Sequence, residues 1–146
     1  MNNIKLERIL YVEDDPDVRT IAGIALEIVG GLNVKICSSG VEALEAADSF
    51  KPDLLLLDVL MPGMDGLMTL AGLRKILSTT FTPVIFMTAK VQVTEIENYK
   101  SLGILGILGI IAKPFDPMNL AARVISLWNK SINNNQNHHE NQSDFP

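Results

Sequence analysis

Glu13, Asp14, Asp58, Thr88 and Lys113 are the side chains of this sequence best able to do chemistry together, because each stands where a short apolar run ends. Glu13 and Asp14 follow Ile9-Leu10-Tyr11-Val12, and Asp58 follows four consecutive leucines, Leu54 to Leu57. Thr88 follows Val84-Ile85-Phe86-Met87, and Lys113 follows Ile110-Ile111-Ala112. Such runs predict the strands of a parallel sheet, whose carboxyl ends share one edge, so the five groups converge. Three carboxylates about 4 Å apart repel by about 4 kcal/mol per pair at an effective dielectric near about 20. A hard divalent cation removes that repulsion. Mg²⁺ fits, because it takes a few carboxylate oxygens and keeps further positions for water and phosphate oxygens. A carboxylate can also attack phosphorus and become an aspartyl phosphate. Asp58 is the expected nucleophile, since its strand is the most apolar and hence the most central. Glu13 and Asp14 then hold the metal, with a backbone carbonyl just past Asp58, best Leu60, completing the set. Lys113 can pair with one phosphoryl oxygen and Thr88 can donate its hydroxyl to another. Singly, each residue has a plainer role as a turn, a helix cap or a solvated charge. Four matched strand ends argue for a site.

The elements that must position these groups alternate along the chain. Strands are expected over residues 5–12, 33–37, 54–58, 84–87 and 109–112. Helices are expected over 16–29, 41–49, 67–77, 94–102 and 117–129. Pro16 suits a first helical turn, and Gly30-Gly31 suits a helix end. Five strands in strict alternation with five helices predict an α/β fold, a doubly wound five-stranded parallel sheet with flavodoxin-like strand order 2-1-3-4-5. In that order strands one and three are neighbours and the ligand crevice opens at their carboxyl ends. Those ends carry Glu13, Asp14 and Asp58. Residues 1–130 make one domain. Residues 131–146, rich in Asn, Gln, His and Ser, form a polar tail expected to be disordered, with His138-His139 solvated.

With 146 residues and 47% apolar content, the chain can bury a full core. Its net charge of -5 excludes a general nucleic-acid binder. The single cysteine, Cys37, forbids an internal disulfide, fits a reducing compartment and is expected to be a buried strand residue. Met1-Asn2-Asn3-Ile4-Lys5 has no apolar region behind a basic start, so no secretory signal is expected. The apolar stretch Leu102–Ala112, broken by three glycines, is shorter than the about 20 residues a membrane span needs. A cytoplasmic protein without membrane insertion is expected.

At this point the sequence resembles the receiver domain of bacterial two-component response regulators, over about residues 5–129. The motifs are Ile9-Leu10-Tyr11-Val12-Glu13-Asp14-Asp15-Pro16, Leu57-Asp58-Val59-Leu60-Met61-Pro62-Gly63-Met64-Asp65-Gly66, Met87-Thr88-Ala89-Lys90 and Ala112-Lys113-Pro114-Phe115. The resemblance implies that Asp58 accepts phosphate from a sensor histidine kinase or histidine phosphotransfer protein. It implies that Glu13, Asp14, Asp58 and the Leu60 carbonyl serve Mg²⁺, that Thr88 and Lys113 contact the phosphoryl group, and that Lys113-Pro114 is cis. Asp15, after the acidic pair, is not expected to be a ligand.

Two departures stand out. The family usually has an aromatic residue three before the lysine, where this chain has Ile110. Gly103-Ile104-Leu105-Gly106-Ile107-Leu108-Gly109 repeats a three-residue unit and suggests a small insertion before the last strand. The expected function is a stand-alone phosphoacceptor switch, not a turnover enzyme, in the manner of a chemotaxis regulator or relay intermediate. It signals to an unknown downstream protein and binds no nucleic acid directly. A phosphohydrolase would need an acid two residues after its nucleophile, where Leu60 stands. A flavin carrier would need a glycine- or hydroxyl-rich phosphate loop after strand one, where Glu13-Asp14-Asp15 would repel phosphate. A degenerate interaction module would not need the intact residue set. Since neither Leu60 nor Lys90 can orient a water, a long-lived aspartyl phosphate is expected.

Overall fold

The computed structural model describes residues 4–89 and 106–143. Five parallel strands run β1 Arg8–Val12, β2 Asn33–Cys37, β3 Leu54–Asp58, β4 Val84–Ala89 and β5 Ile107–Lys113. Their spatial order is β2-β1-β3-β4-β5, as the alternation predicts. β3 is buried at every position, between β1 and β4, because a central parallel strand is covered on both faces. Among the described residues the α-helices are α1 Pro16–Ile24, α2 Gly40–Phe50, α3 Gly66–Arg74 and α4 Pro117–Ser143. The helix expected over 94–102 lies outside the described residues, as do Lys90 and the first part of the glycine repeat.

The strands' two-residue side-chain period divides the core into two layers. Ile9, Tyr11, Leu54, Leu56, Ile85, Met87 and Ile111 pack with Leu26, Leu120, Val124 and Trp128, on the side covered by α1 and α4. Leu10, Val12, Leu55, Leu57, Val84 and Phe86 pack with Ala43, Ala47, Leu70 and Leu73, on the side covered by α2 and α3. Cys37 is buried in the second layer, and burial pushes its thiol up to about 11, so it stays an unreactive packing residue.

Several elements differ from expectation. β1 begins at Arg8, not at residue 5, because β2 gives it pairing partners only from Arg8↔Asn33 onward. The first helix reaches Val29 but widens to a π-turn over Ala25–Val29, with Gly30 N–H donating to Ala25 O at 3.0 Å. α3 ends at Arg74, not at residue 77, since Ile76 is already extended and Leu77 is almost wholly exposed. α4 continues past Asn129 to Ser143, into the segment expected to lack regular structure. A helix already docked by its first turns propagates easily, and no Gly or Pro interrupts it before Pro146. No helix among the described residues is long and apolar enough to cross a membrane.

β5 shows what becomes of the described end of the glycine repeat. Val84 pairs with Ile107 and Ile85 with Gly109, so Leu108 is an extra residue in the strand, a β-bulge. Gly109 lets α4 pack closely there: a Cβ would lie 2.9 Å from Leu127 Cδ2, and that side chain would have to shift. Beyond the bulge the register runs regularly to Ala89↔Lys113, which brings Lys113 to the sheet's carboxyl edge.

Candidate functional site

Parity decides which side chains meet at that edge. Glu13 continues the face of Ile9 and Tyr11, Asp58 that of Leu54 and Leu56, and Lys113 that of Ile111. All three therefore lie on the α1–α4 side, and they touch. The Lys113 ammonium Nζ donates a short hydrogen bond to Glu13 Oε1 and lies 3.2 Å from Asp58 Oδ2. Glu13 and Asp58 are buried, at 1% and 4% exposure, whereas Asp14 is exposed. One carboxylate oxygen from each of the three acids falls within a group whose members are all within 4.8 Å of one another.

Local structure explains how the chain reaches this point. Glu13 N–H donates to Cys37 O at 3.1 Å, extending the β1–β2 ladder by one residue. Asp15 then turns the chain into α1: its Oδ1 accepts from Asp17 N–H at 2.9 Å and Val18 N–H at 3.3 Å, with Pro16 in the first turn. Asp15 is thus a helix cap. After Asp58, Val59 O accepts from Gly66 N–H at 2.9 Å, while Asp65 Oδ1 caps α3 at Met68 N–H, 2.8 Å. The Val59 carbonyl is thereby engaged, and Leu60, 59% exposed, is next along the chain. Thr88 is buried on β4, one residue beyond Met87, the partner of Asp58, and beside Ala112. Ile110 is half-buried against the α2–α3 layer, and the Lys113-Pro114 peptide is cis.

The electrostatics favour a cation. Burial, then the adjoining Asp58 carboxylate, push Glu13 up to about 7, against the opposing pull of Lys113. Burial pulls the Lys113 ammonium down, but Glu13 and Asp58 outweigh it and hold its pKa above the usual lysine value. Glu13 Oε2 is buried with no hydrogen-bond partner among the described residues. An orphaned buried carboxylate oxygen costs free energy unless something binds it. Three acids gather around one ammonium, and the crowding of carboxylates is part of what raises Glu13. Hard oxygen donors and one unused buried lone pair fit Mg²⁺.

One neighbour was not singled out by strand-end reasoning. Arg19 on α1 reaches back to the carbonyls of Glu13 and Asp14. Its signal in the sequence is only a cation one turn into the helix after an acidic pair, which is common on any helix surface.

A family model for the response regulator receiver domain matches residues 9–125. A probable transcriptional regulator, ycf29, of Porphyra purpurea is 38% identical over 115 residues, 78% of this chain and 53% of its own length. The alkaline phosphatase synthesis transcriptional regulatory protein PhoP of Bacillus subtilis is 36% identical over 126 residues, 86% of this chain and 50% of its own length. The chain thus spans about half the length of these curated relatives. Among solved structures, chemotaxis protein CheY4 of Vibrio cholerae superposes with a TM-score of 0.73 at 26% identity, covering 84% of this chain and 98% of the other. The receiver domain of sensor histidine kinase PA1611 of Pseudomonas aeruginosa, with a magnesium ion coordinated in its active site cleft, gives 0.69 at 28% identity, covering 84% and 96%.

Proposed function

The chain belongs to the response regulator receiver domain family, and from that premise we propose that Asp58 accepts a phosphoryl group from a phosphohistidine on a sensor kinase or phosphotransfer protein. The supporting observation is the Asp58 carboxylate held 3.2 Å from the Lys113 ammonium and grouped with Glu13 and Asp14. In the transfer, an Asp58 carboxylate oxygen forms the new P–O bond as the P–N bond breaks, and the imidazole leaves with that electron pair. Lys113, already between Glu13 and Asp58, follows the charge onto a phosphoryl oxygen. Thr88 offers its hydroxyl from the neighbouring strand. Glu13, Asp14, Asp58 and the Leu60 carbonyl would hold Mg²⁺, which would supply charge neutralisation for the phosphoryl oxygens. An apolar groove of about 440 Å³ beside Lys113, formed by Val18, Ile21, Pro114, Phe115 and Pro117, suits a protein donor.

The reading extends to the output. Phosphorylation places about two negative charges at the sheet edge, and movement of Thr88 toward them shifts the carboxyl ends of β4 and β5. That shift is read by a downstream protein. With Ile110 in place of an aromatic side chain, no ring reorients in the process. Acetyl phosphate with Mg²⁺ should retard the wild-type protein on Phos-tag gels and leave Asp58→Ala unshifted. An equal shift in Asp58→Ala would place the phosphate elsewhere.

A further inference from the structure

We infer that Arg19 is a positioning residue for the acidic turn, holding the Glu13 and Asp14 backbone so that their carboxylates converge on one cation. A single guanidinium nitrogen, Nη1, donates to Glu13 O at 3.0 Å and to Asp14 O at 2.8 Å. The inference rests on the magnesium reading of the site.

The turn needs such a hold. Its last sheet bond is Glu13 N–H to Cys37 O, and its next fixed point is the Asp15 cap of α1. The two carbonyls in between belong to the two acids. Asp14 is exposed, while Glu13 and Asp58 are fixed by burial and by Lys113. Of the three acids, Asp14 therefore depends most on its backbone. The Arg19 side chain, half-buried and rising from a helix that begins at Pro16, hooks both carbonyls from one atom and sets the angle between them. Groups that orient ligands in this way commonly contribute about tenfold or more to metal affinity.

Charge and geometry make opposite predictions, so the sign of the effect identifies the mechanism. Arg19 is a cation next to a cation site. If its role were only electrostatic, removing it would tighten Mg²⁺ binding. If it positions the turn, removing it loosens binding. Mg²⁺ titrated calorimetrically into the whole protein, alongside its melting temperature, separates the two.

Arg19→Met keeps the aliphatic stem but loses the charge and both donors. Its Mg²⁺ dissociation constant should rise about tenfold, with a far smaller proportional effect on melting. Arg19→Lys should recover most of the affinity, because one nitrogen makes both bonds and an ammonium carries three donors. Met-variant binding equal to or tighter than wild type, or a lysine variant as weak as the methionine one, would overturn the inference. Should Arg19→Met fail to fold, Arg19→Gln decides: neutral but still a donor, it should bind no tighter than wild type, whereas a pure charge effect makes it tighter. Wild-type protein that took up no Mg²⁺ at all would sink the magnesium reading and this inference together, an outcome distinct from wild-type uptake that is insensitive to Arg19.

Discussion

Two residues past Asp58, the exposed Leu60 presents a side chain that neither donates nor accepts a hydrogen bond. Hydrolysis of an aspartyl phosphate needs a water held in line with the P–O bond, and a leucine at that place cannot hold one. Leu60→Asn supplies a carboxamide there and should shorten the phosphoprotein's half-life about tenfold. The check is the decay of the Phos-tag-shifted band after the phosphodonor is removed; equal decay in the two proteins would refute the water-positioning argument. The grouping of Glu13, Asp14 and Asp58 was legible in the sequence, because strand ends in a parallel sheet must meet at one edge. The Lys113–Glu13 contact was not. It depends on the shared parity of Glu13, Asp58 and Lys113, and the parity of β5 is set by a bulge that composition does not reveal.

Among the elements, the junction of β3 with α3 is the tightest part of the site. A Cβ on Gly66 would overlap the Asp58 backbone oxygen and lie 2.9 Å from Val59 Cα, so the helix can start this close to the phosphoacceptor only with glycine there. The clash is with backbone, which cannot rotate away as a side-chain tip can. Gly66→Ala should therefore cost about 3 kcal/mol of stability, at the upper end for overpacking, and should also impair phosphorylation by displacing Asp58. A urea melt and a Phos-tag assay on the same preparation measure both effects; Gly63→Ser, at a position where a Cβ meets nothing but φ is +76°, gives the comparison of strain without contact. The elements themselves were readable wherever apolar runs ended in turn residues, as at Asn33–Cys37 and Leu54–Asp58. They were misread where one signal stood in for another. Leu77, expected to end the third helix, lies outside α3, and the run from Ser131 onward is almost wholly polar yet has no Gly or Pro before Pro146.

For the molecule as a whole, the fold buries carboxylates beside one another at the sheet edge, and that burial is readable as a dependence on pH. Burial and Asp58 hold Glu13 at about 7, well above its ordinary 4.5. Without metal, the unfolded chain ionises Glu13 near the ordinary value while the folded protein keeps the proton. The folded state thus binds more protons between the two values, and stability falls as pH rises through that window. Mg²⁺ takes the ionised carboxylate, so below about pH 7 it must displace a proton to bind. One unit below that value its apparent affinity should be about tenfold lower, worth about 1.4 kcal/mol of stabilisation at equal, saturating Mg²⁺. The rise in melting temperature on adding Mg²⁺ should accordingly be larger at about pH 8 than at about pH 6. Glu13→Gln removes the titrating group: it should melt higher than the wild type at the upper pH without metal and show almost no pH dependence in its Mg²⁺ shift. An Mg²⁺ shift in wild-type protein that is the same at both pH values would mean that Glu13 is already ionised in the folded state, and that Lys113, not the cation, satisfies it.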